Sequence, residues 1–124
     1  MNSNFTTILR ILLALVLIVF GLNEFIGIIP KPELPTEAAD FMNSLKATGY
    51  VLYFLGALEV LIGLLLLLKK WVPFALLLLV PISVNILMFH MFLDLPNIYK
   101  ALGVAVLNTI LVYKYWKAYR PLFQ

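Results

Sequence analysis

The chain has no cysteine, a single histidine and few charges: Lys, Arg, Asp and Glu together make up 12% of its 124 residues. Without cysteine it carries no thiol–disulfide chemistry and no Cys-ligated zinc or iron–sulfur cluster. With His90 alone, an intrachain bis-histidine haem is excluded, and no His-x-x-x-His or comparable spacing offers a metal site. The charges that remain give a formal net charge of +3. In a soluble protein that balance would suggest an acidic partner. Here it reads as membrane topology, and no nucleic-acid partner is expected.

What the chain has in abundance is apolar side chains, 64% of the residues, with a mean hydropathy of +1.04. Soluble domains run at roughly 45–50% apolar. Four long apolar runs, about residues 8–29, 49–68, 71–93 and 97–116, each approach the roughly 20 residues that cross a bilayer core of about 30 Å. These runs leave little else, so the sequence predicts one all-α transmembrane domain over residues 1–124, an antiparallel four-helix bundle. The first run is too long for a signal-peptide core and has no small-x-small cleavage pattern, so it is expected to remain as a span.

Flanking charges separate by side. Arg10, Lys69, Lys70, Lys114, Lys117 and Arg120 fall on one side, with no acidic residue among them. Lys31, Lys46 and Lys100 fall on the other, with Glu33, Glu37, Asp40 and Asp94. The positive-inside rule then predicts both termini cytoplasmic. Trp71, Tyr115, Trp116 and Tyr119 would mark the inner interface, and Tyr50, Tyr53 and Tyr99 the outer. In the first outer loop, after Pro30, Lys31, Pro32 and Pro35, Thr36 can cap a helix with Glu37 in its first turn. Leu34, Ala38, Phe41, Met42 and Leu45 recur at helical spacing opposite Glu37, Asp40, Asn43 and Lys46. That predicts a short amphipathic helix in the interface, either shielding the bundle or lying as a lid over a pocket.

Polar residues inside the runs are the candidate functional groups, since an intramembrane carboxylate costs roughly 2.5–3.5 kcal/mol on insertion scales. Glu59 stands between Gly56 and Gly63, which share seven-residue spacing with Gly49 and so predict one small stripe along a helix. Glu24 follows Gly21 as Glu59 follows Gly56. Counted at about 1.5 Å per residue from the outer ends, His90 lies near 5 Å, Glu24 near 8 Å, Asn85 near 12 Å, and Glu59 and Asn108 near 15 Å. The inner half is almost purely apolar, which suggests a cavity closed on the cytoplasmic side. Asn85 lies one turn after the helix-interior Pro81, where freed carbonyls need donors or an interhelical bond can form. Asn108 shares a stripe with Ala101 and Ala105. His90 has Asp94 one turn on, an i,i+4 pair able to fix its tautomer. His90 and Asn85 stand about 140° apart around their helix, so both face inward only if the buried arc is wide.

These residues resemble the DoxX-like family. The likeness runs from Arg10 through Gly21-Leu22-Asn23-Glu24-Phe25, past Thr48-Gly49-Tyr50, into Gly56-Ala57-Leu58-Glu59-Val60-Leu61-Ile62-Gly63-Leu64, and on to Pro81-Ile82-Ser83-Val84-Asn85-Ile86-Leu87-Met88-Phe89-His90. The resemblance implies a four-helix bundle in the bacterial cytoplasmic membrane. It also implies polar positions at Glu24, Glu59, Asn85 and His90, and a link to oxidoreductase complexes.

Three functions remain open at this point. The first is a redox-associated subunit that binds a quinone or another lipophilic ligand, with His90, Asn85, Asn108 and a protonated Glu59 as donors and Glu24 at the mouth. Electron transfer would then need a partner redox protein. The second is a non-enzymatic assembly or chaperone-like membrane protein whose polar groups specify packing. The third is a small proton-coupled transporter.

Overall fold

The computed structural model describes residues 3–30 and 33–124. The sequence-based positions of Lys31 and Pro32 lie outside the described residues. Those described are almost all helical, with no strand among them. The helices are α1 (Asn4–Ile26), α2 (Thr36–Ala47), α3 (Val51–Leu67), α4 (Val72–Leu93), α5 (Ile98–Lys114) and a short α6 (Trp116–Tyr119). A 3-10 turn, Leu95–Asn97, leads into α5, and another, Arg120–Phe123, follows α6.

α1, α4 and α5 with its preceding turn are long and apolar enough to cross a membrane. α3 makes the fourth if α2 and α3, bent by 88° at their junction, count as one broken span. α1 packs along α3, α3 on α4, α4 on α5 and α5 back on α1, closing a four-helix bundle. The core is built from Leu13, Ala14 and Leu17 of α1, Ile62 and Leu66 of α3, Ala75, Leu76 and Leu79 of α4, and Leu111 of α5. All of these lie toward the end that carries the α3–α4 hairpin. Toward the other end, which α2 covers, the buried side chains include Glu59, Ser83 and Asp94 along with Ala38 and Ala101.

Local chemistry explains where the elements begin and end. The side chain of Ser3 caps α1 by accepting from the Thr6 amide at 3.1 Å. Gly27 ends the helix in the left-handed region, φ 70°, and its N–H returns to Asn23 O. Asn23 then clamps the departing chain: its Oδ1 accepts from Ile29 N at 2.8 Å and its Nδ2 donates to Ile29 O at 3.2 Å. The helix therefore stops three residues before the apolar run does. The α2 helix starts at Thr36 itself, not after it. Extended Pro35 is the boundary residue, since its carbonyl takes the first helical bond from Ala39 N; its ring has no polar atom to add a side-chain cap.

Three further expectations are corrected. Gly49 does not continue the stripe of Gly56 and Gly63; it lies in the turn before α3 at φ 83°, a conformation that favours glycine. Arg10 is not a flanking charge but a buried residue two turns inside α1, its guanidinium donating to Leu66 O near the end of α3. Tyr115 and Tyr119 are core residues, so of the four aromatic residues expected to mark an interface at the hairpin end, Trp71 and Trp116 are the exposed ones.

Candidate functional site: a polar layer beneath α2

The α1–α3 seam carries both intramembrane carboxylates. A Cβ built on Gly56 would come within 2.9 Å of Glu24 Cβ and 3.2 Å of its Cγ, so the Glu24 stem lies across the surface that Gly56 leaves bare. One turn deeper along α3, Glu59 is buried on the same seam. Phe25 stacks on Tyr53 at 5.5 Å beyond the pair, holding the two helices together at the α2 end. The helical offset of three residues, Gly21 to Glu24 and Gly56 to Glu59, puts each carboxyl just beside the closest approach of the backbones.

A second group joins α4 to α5. Asn108, 2% exposed, accepts from Ser83 Oγ at 3.0 Å and donates to Leu76 O at 3.1 Å. Ser83 continues the inward face of Leu76 and Leu79 at helical spacing, and His90 is seven residues further on. Asn85 is on the other side of α4, exposed, and its amide donates back to Pro81 O at 2.7 Å. Of the polar side chains of this helix beside Pro81, Ser83 rather than Asn85 bonds across to α5, and the wide angle between Asn85 and His90 means that they face different surroundings. Ser83 was legible as the polar member of an apolar inward face, but proximity to Pro81 draws attention to Asn85 instead.

The third group closes the α4–α5 connection. Asp94 is fully buried; both carboxylate oxygens accept from Asn97 Nδ2, at 2.9 and 3.1 Å. His90 Nδ1 stands 3.4 Å from Asp94 Oδ2 and 3.3 Å from Asp94 O. Asn97 also reaches Glu33 O at 3.5 Å, and Phe41 of α2 meets Phe89 at 5.5 Å. With Ala38 buried beneath it, α2 is strapped over this end of the bundle. Asn97 escapes a reading that counts only intramembrane residues, although Asp-x-x-Asn at a helix junction is itself a turn and cap signal.

Two clefts lie along α4 and α5. A shallow cleft of about 330 Å³ runs between α4 and α5, lined by Val80, Ser83, Val84, Leu87, Asn108 and Val112 among others. A neighbouring one of about 260 Å³ shares Leu87, Ala105 and Thr109 with it. Both open sideways, and neither is lined by Glu24, Glu59 or His90. Among the described residues, no three His, Asp or Glu side chains stand together as a metal site.

The sequence model of the DoxX family matches residues 5–91, which run from the start of α1 almost to the end of α4. The chain belongs to the DoxX family. Comparisons with curated proteins and with solved structures return no match. The DoxX match takes in Glu24, Glu59, Asn85 and His90, and ends before Asp94, Asn97 and Asn108. This DoxX-family protein therefore completes its polar layer with residues of α5 and its connection that lie beyond the matched region.

Proposed function

We propose that this DoxX-family protein is an accessory subunit of a bacterial cytoplasmic membrane, a single four-helix domain that works by assembling with a membrane partner. One observation carries the reading. Among the described residues, no buried side-chain nitrogen or oxygen lacks a hydrogen-bond partner. A ligand site presents convergent polar groups with bonds to spare. Here Asn108, Ser83, Asp94 and Asn97 are spent on joining helices, and the Glu24–Glu59 seam borders neither cleft. Polar groups used this way specify helix packing.

The charges outside the bundle core support an orientation with both termini cytoplasmic. With Arg10 buried, Lys69, Lys70, Lys114, Lys117 and Arg120 remain at the hairpin end, against Lys46 and Lys100 in the described part of the other. The partner would be a membrane protein whose helix lies along the lipid-facing side of α4 and α5.

A second reading rests on the α4–α5 cleft. Its floor reaches Ser83 and Asn108, and its volume is at the lower end of ligand-sized pockets, roughly 300–1,000 Å³. A quinone or other lipophilic molecule entering from the bilayer would lie there, with Thr109 at the edge. Mass spectrometry of the molecules retained by the purified full chain separates the two. Under the accessory reading, wild type and Glu59→Gln release the same bulk phospholipids, and a photo-crosslinker at position 105 reaches protein in the native membrane. A defined quinone or other lipophile held by wild type and lost in Ala105→Phe would overturn that reading in favour of the cleft.

A further inference from the structure

The hairpin end of the bundle has a surface that the polar layer does not explain. The α3–α4 connection is only four residues, and two of them, Lys69 at φ 56° and Trp71 at φ 51°, adopt left-handed backbone. For a residue as bulky as tryptophan this conformation is an outlier, and such strain persists only where the surrounding structure fixes it. Its result is to throw the Trp71 ring outward, 72% exposed, edge-on to Phe74 at 6.1 Å.

At the same end the chain turns after α5. Tyr119 donates to Pro73 O at 2.6 Å, fastening α6 beside the start of α4. The opposite side of this short segment is apolar and exposed: Trp116 stacks on Phe123 at 5.9 Å, with Leu122 beside them. Interleaved with these rings are the exposed cations Lys69, Lys70, Lys117 and Arg120 and, half-buried, Lys114 with its ammonium over Phe5 at 5.8 Å. Every Asp and Glu of the chain lies elsewhere, at 24, 33, 37, 40, 59 and 94.

We infer that this surface docks anionic phospholipid: the rings of Trp71, Trp116 and Phe123 sit at headgroup depth while the hairpin and C-terminal cations bind the lipid phosphates. Indole rings favour that depth, and lysine and arginine next to it attract acidic headgroups with an energy that salt weakens. The pinning of α6 by Tyr119 matters, because it puts Lys117 and Arg120 at the same end as Lys69 and Lys70. The inference goes beyond the accessory reading and does not depend on it, since the surface and its charge are the same with any partner or none.

Both tryptophans of the chain lie on this surface, so they report on it alone. The full-length protein would be placed in phosphatidylcholine nanodiscs doped with dansyl-labelled phosphatidylglycerol or dansyl-labelled phosphatidylcholine, and energy transfer from tryptophan measured. We expect a preference for the phosphatidylglycerol probe of about tenfold in half-saturating mole fraction. It should collapse in about 1 M salt. It should also be lost when Lys69, Lys70, Lys117 and Arg120 are all changed to Gln, and persist when Lys46 and Lys100 are changed instead. Equal transfer from the two probes in wild type overturns the inference, as does a preference that survives high salt. The salt series uses wild-type protein, so the test stands even if the fourfold variant folds poorly.

Discussion

Gly21 of α1 and Gly56 of α3 touch backbone to backbone: a Cβ on Gly21 would lie 2.7 Å from Gly56 O, and one on Gly56 would lie 2.8 Å from Gly21 O. The contact is reciprocal, so neither helix can carry a side chain there without parting from the other. Close approach of this kind is how membrane helices gain packing contact where the surrounding lipid is as apolar as the side chains. It also brings the stem of Glu24 against α3 and fixes the seam that buries Glu59.

Substitution of either glycine by alanine should therefore loosen the α1–α3 pair. Overpacking of a fitted contact costs about 1–3 kcal/mol, and the obstacle here is backbone, which cannot swing aside. Gly103 gives the control. A Cβ there meets nothing within 4 Å, so Gly103→Ala should be neutral or stabilising. Thermal melts of the three variants in one detergent decide it: Gly21→Ala and Gly56→Ala melting no lower than Gly103→Ala would mean that the seam is softer than its geometry.

Asn108 is the polar joint between α4 and α5, and its loss should be felt on both. In Asn108→Leu the Leu76 carbonyl loses a donor and Ser83 loses one of its two acceptors, Val80 O remaining at 3.1 Å. Interhelical hydrogen bonds in membranes are worth roughly 0.6–2 kcal/mol. Ser83→Ala should cost less, since Asn108 keeps its bond to Leu76 O, and the double variant should cost less than the sum of the two. Strict additivity in that cycle would show that the two side chains are not coupled.

How much of this was legible in the sequence follows from what each residue's signal depends on. The helices were, because long apolar runs leave little choice of element, and so was α2, whose apolar and polar positions alternate at helical spacing. The proximity of His90 to Asp94 is likewise a matter of spacing within or next to one helix. What depends on the partner helix was not. Arg10 looks like a flanking charge until α3 is seen to end beside it. Asn85 and Ser83 are two residues apart; helical spacing from Leu76 and Leu79 puts Ser83 on the inward face, but that it bonds Asn108 depends on where α5 lies. Gly49 fits the stripe of Gly56 and Gly63 by number, but the chain turns before reaching them.

Arg10 supplies a further prediction. Its guanidinium donates to Leu66 O, one of the last carbonyls of α3, which otherwise accepts only from the turn that follows, from Lys69 N at 3.3 Å. A cation at a helix C-terminus is also favoured by the helix dipole. Arg10→Ala removes the charged donor and the packed stem together, leaving Leu66 O with Lys69 N alone, and should destabilise the bundle by about 1.5–3 kcal/mol, the range for a hydrogen bond to a charged group. The effect should centre on the hairpin: amide exchange near Leu66 and Leu67 should accelerate more than exchange near Tyr53 and Phe54. Uniform acceleration along α3 would mean that Arg10 acts on the whole bundle rather than on the end of α3.

Tyr119 gives the protein an alkaline limit that can be read directly. Its hydroxyl donates to Pro73 O, and burial first, with neighbouring Tyr115 adding to it, pushes its pKa from 10.0 up to about 12. A group that holds its proton more tightly in the folded state contributes stability in full below the unfolded value. That contribution is lost as pH rises through the folded one. Here the window runs from pH 10.0 to about 12. At neutral pH, Tyr119→Phe should lower stability by about 0.5–1.5 kcal/mol, the net worth of an ordinary hydrogen bond. The gap between the variant and wild type should then narrow as pH climbs through the window, because wild type loses there what the variant never had. Unfolding measured across that range, with phenolate absorbance followed in parallel, checks both parts. A gap that stays constant to the end of the window would mean that the hydroxyl keeps its proton throughout.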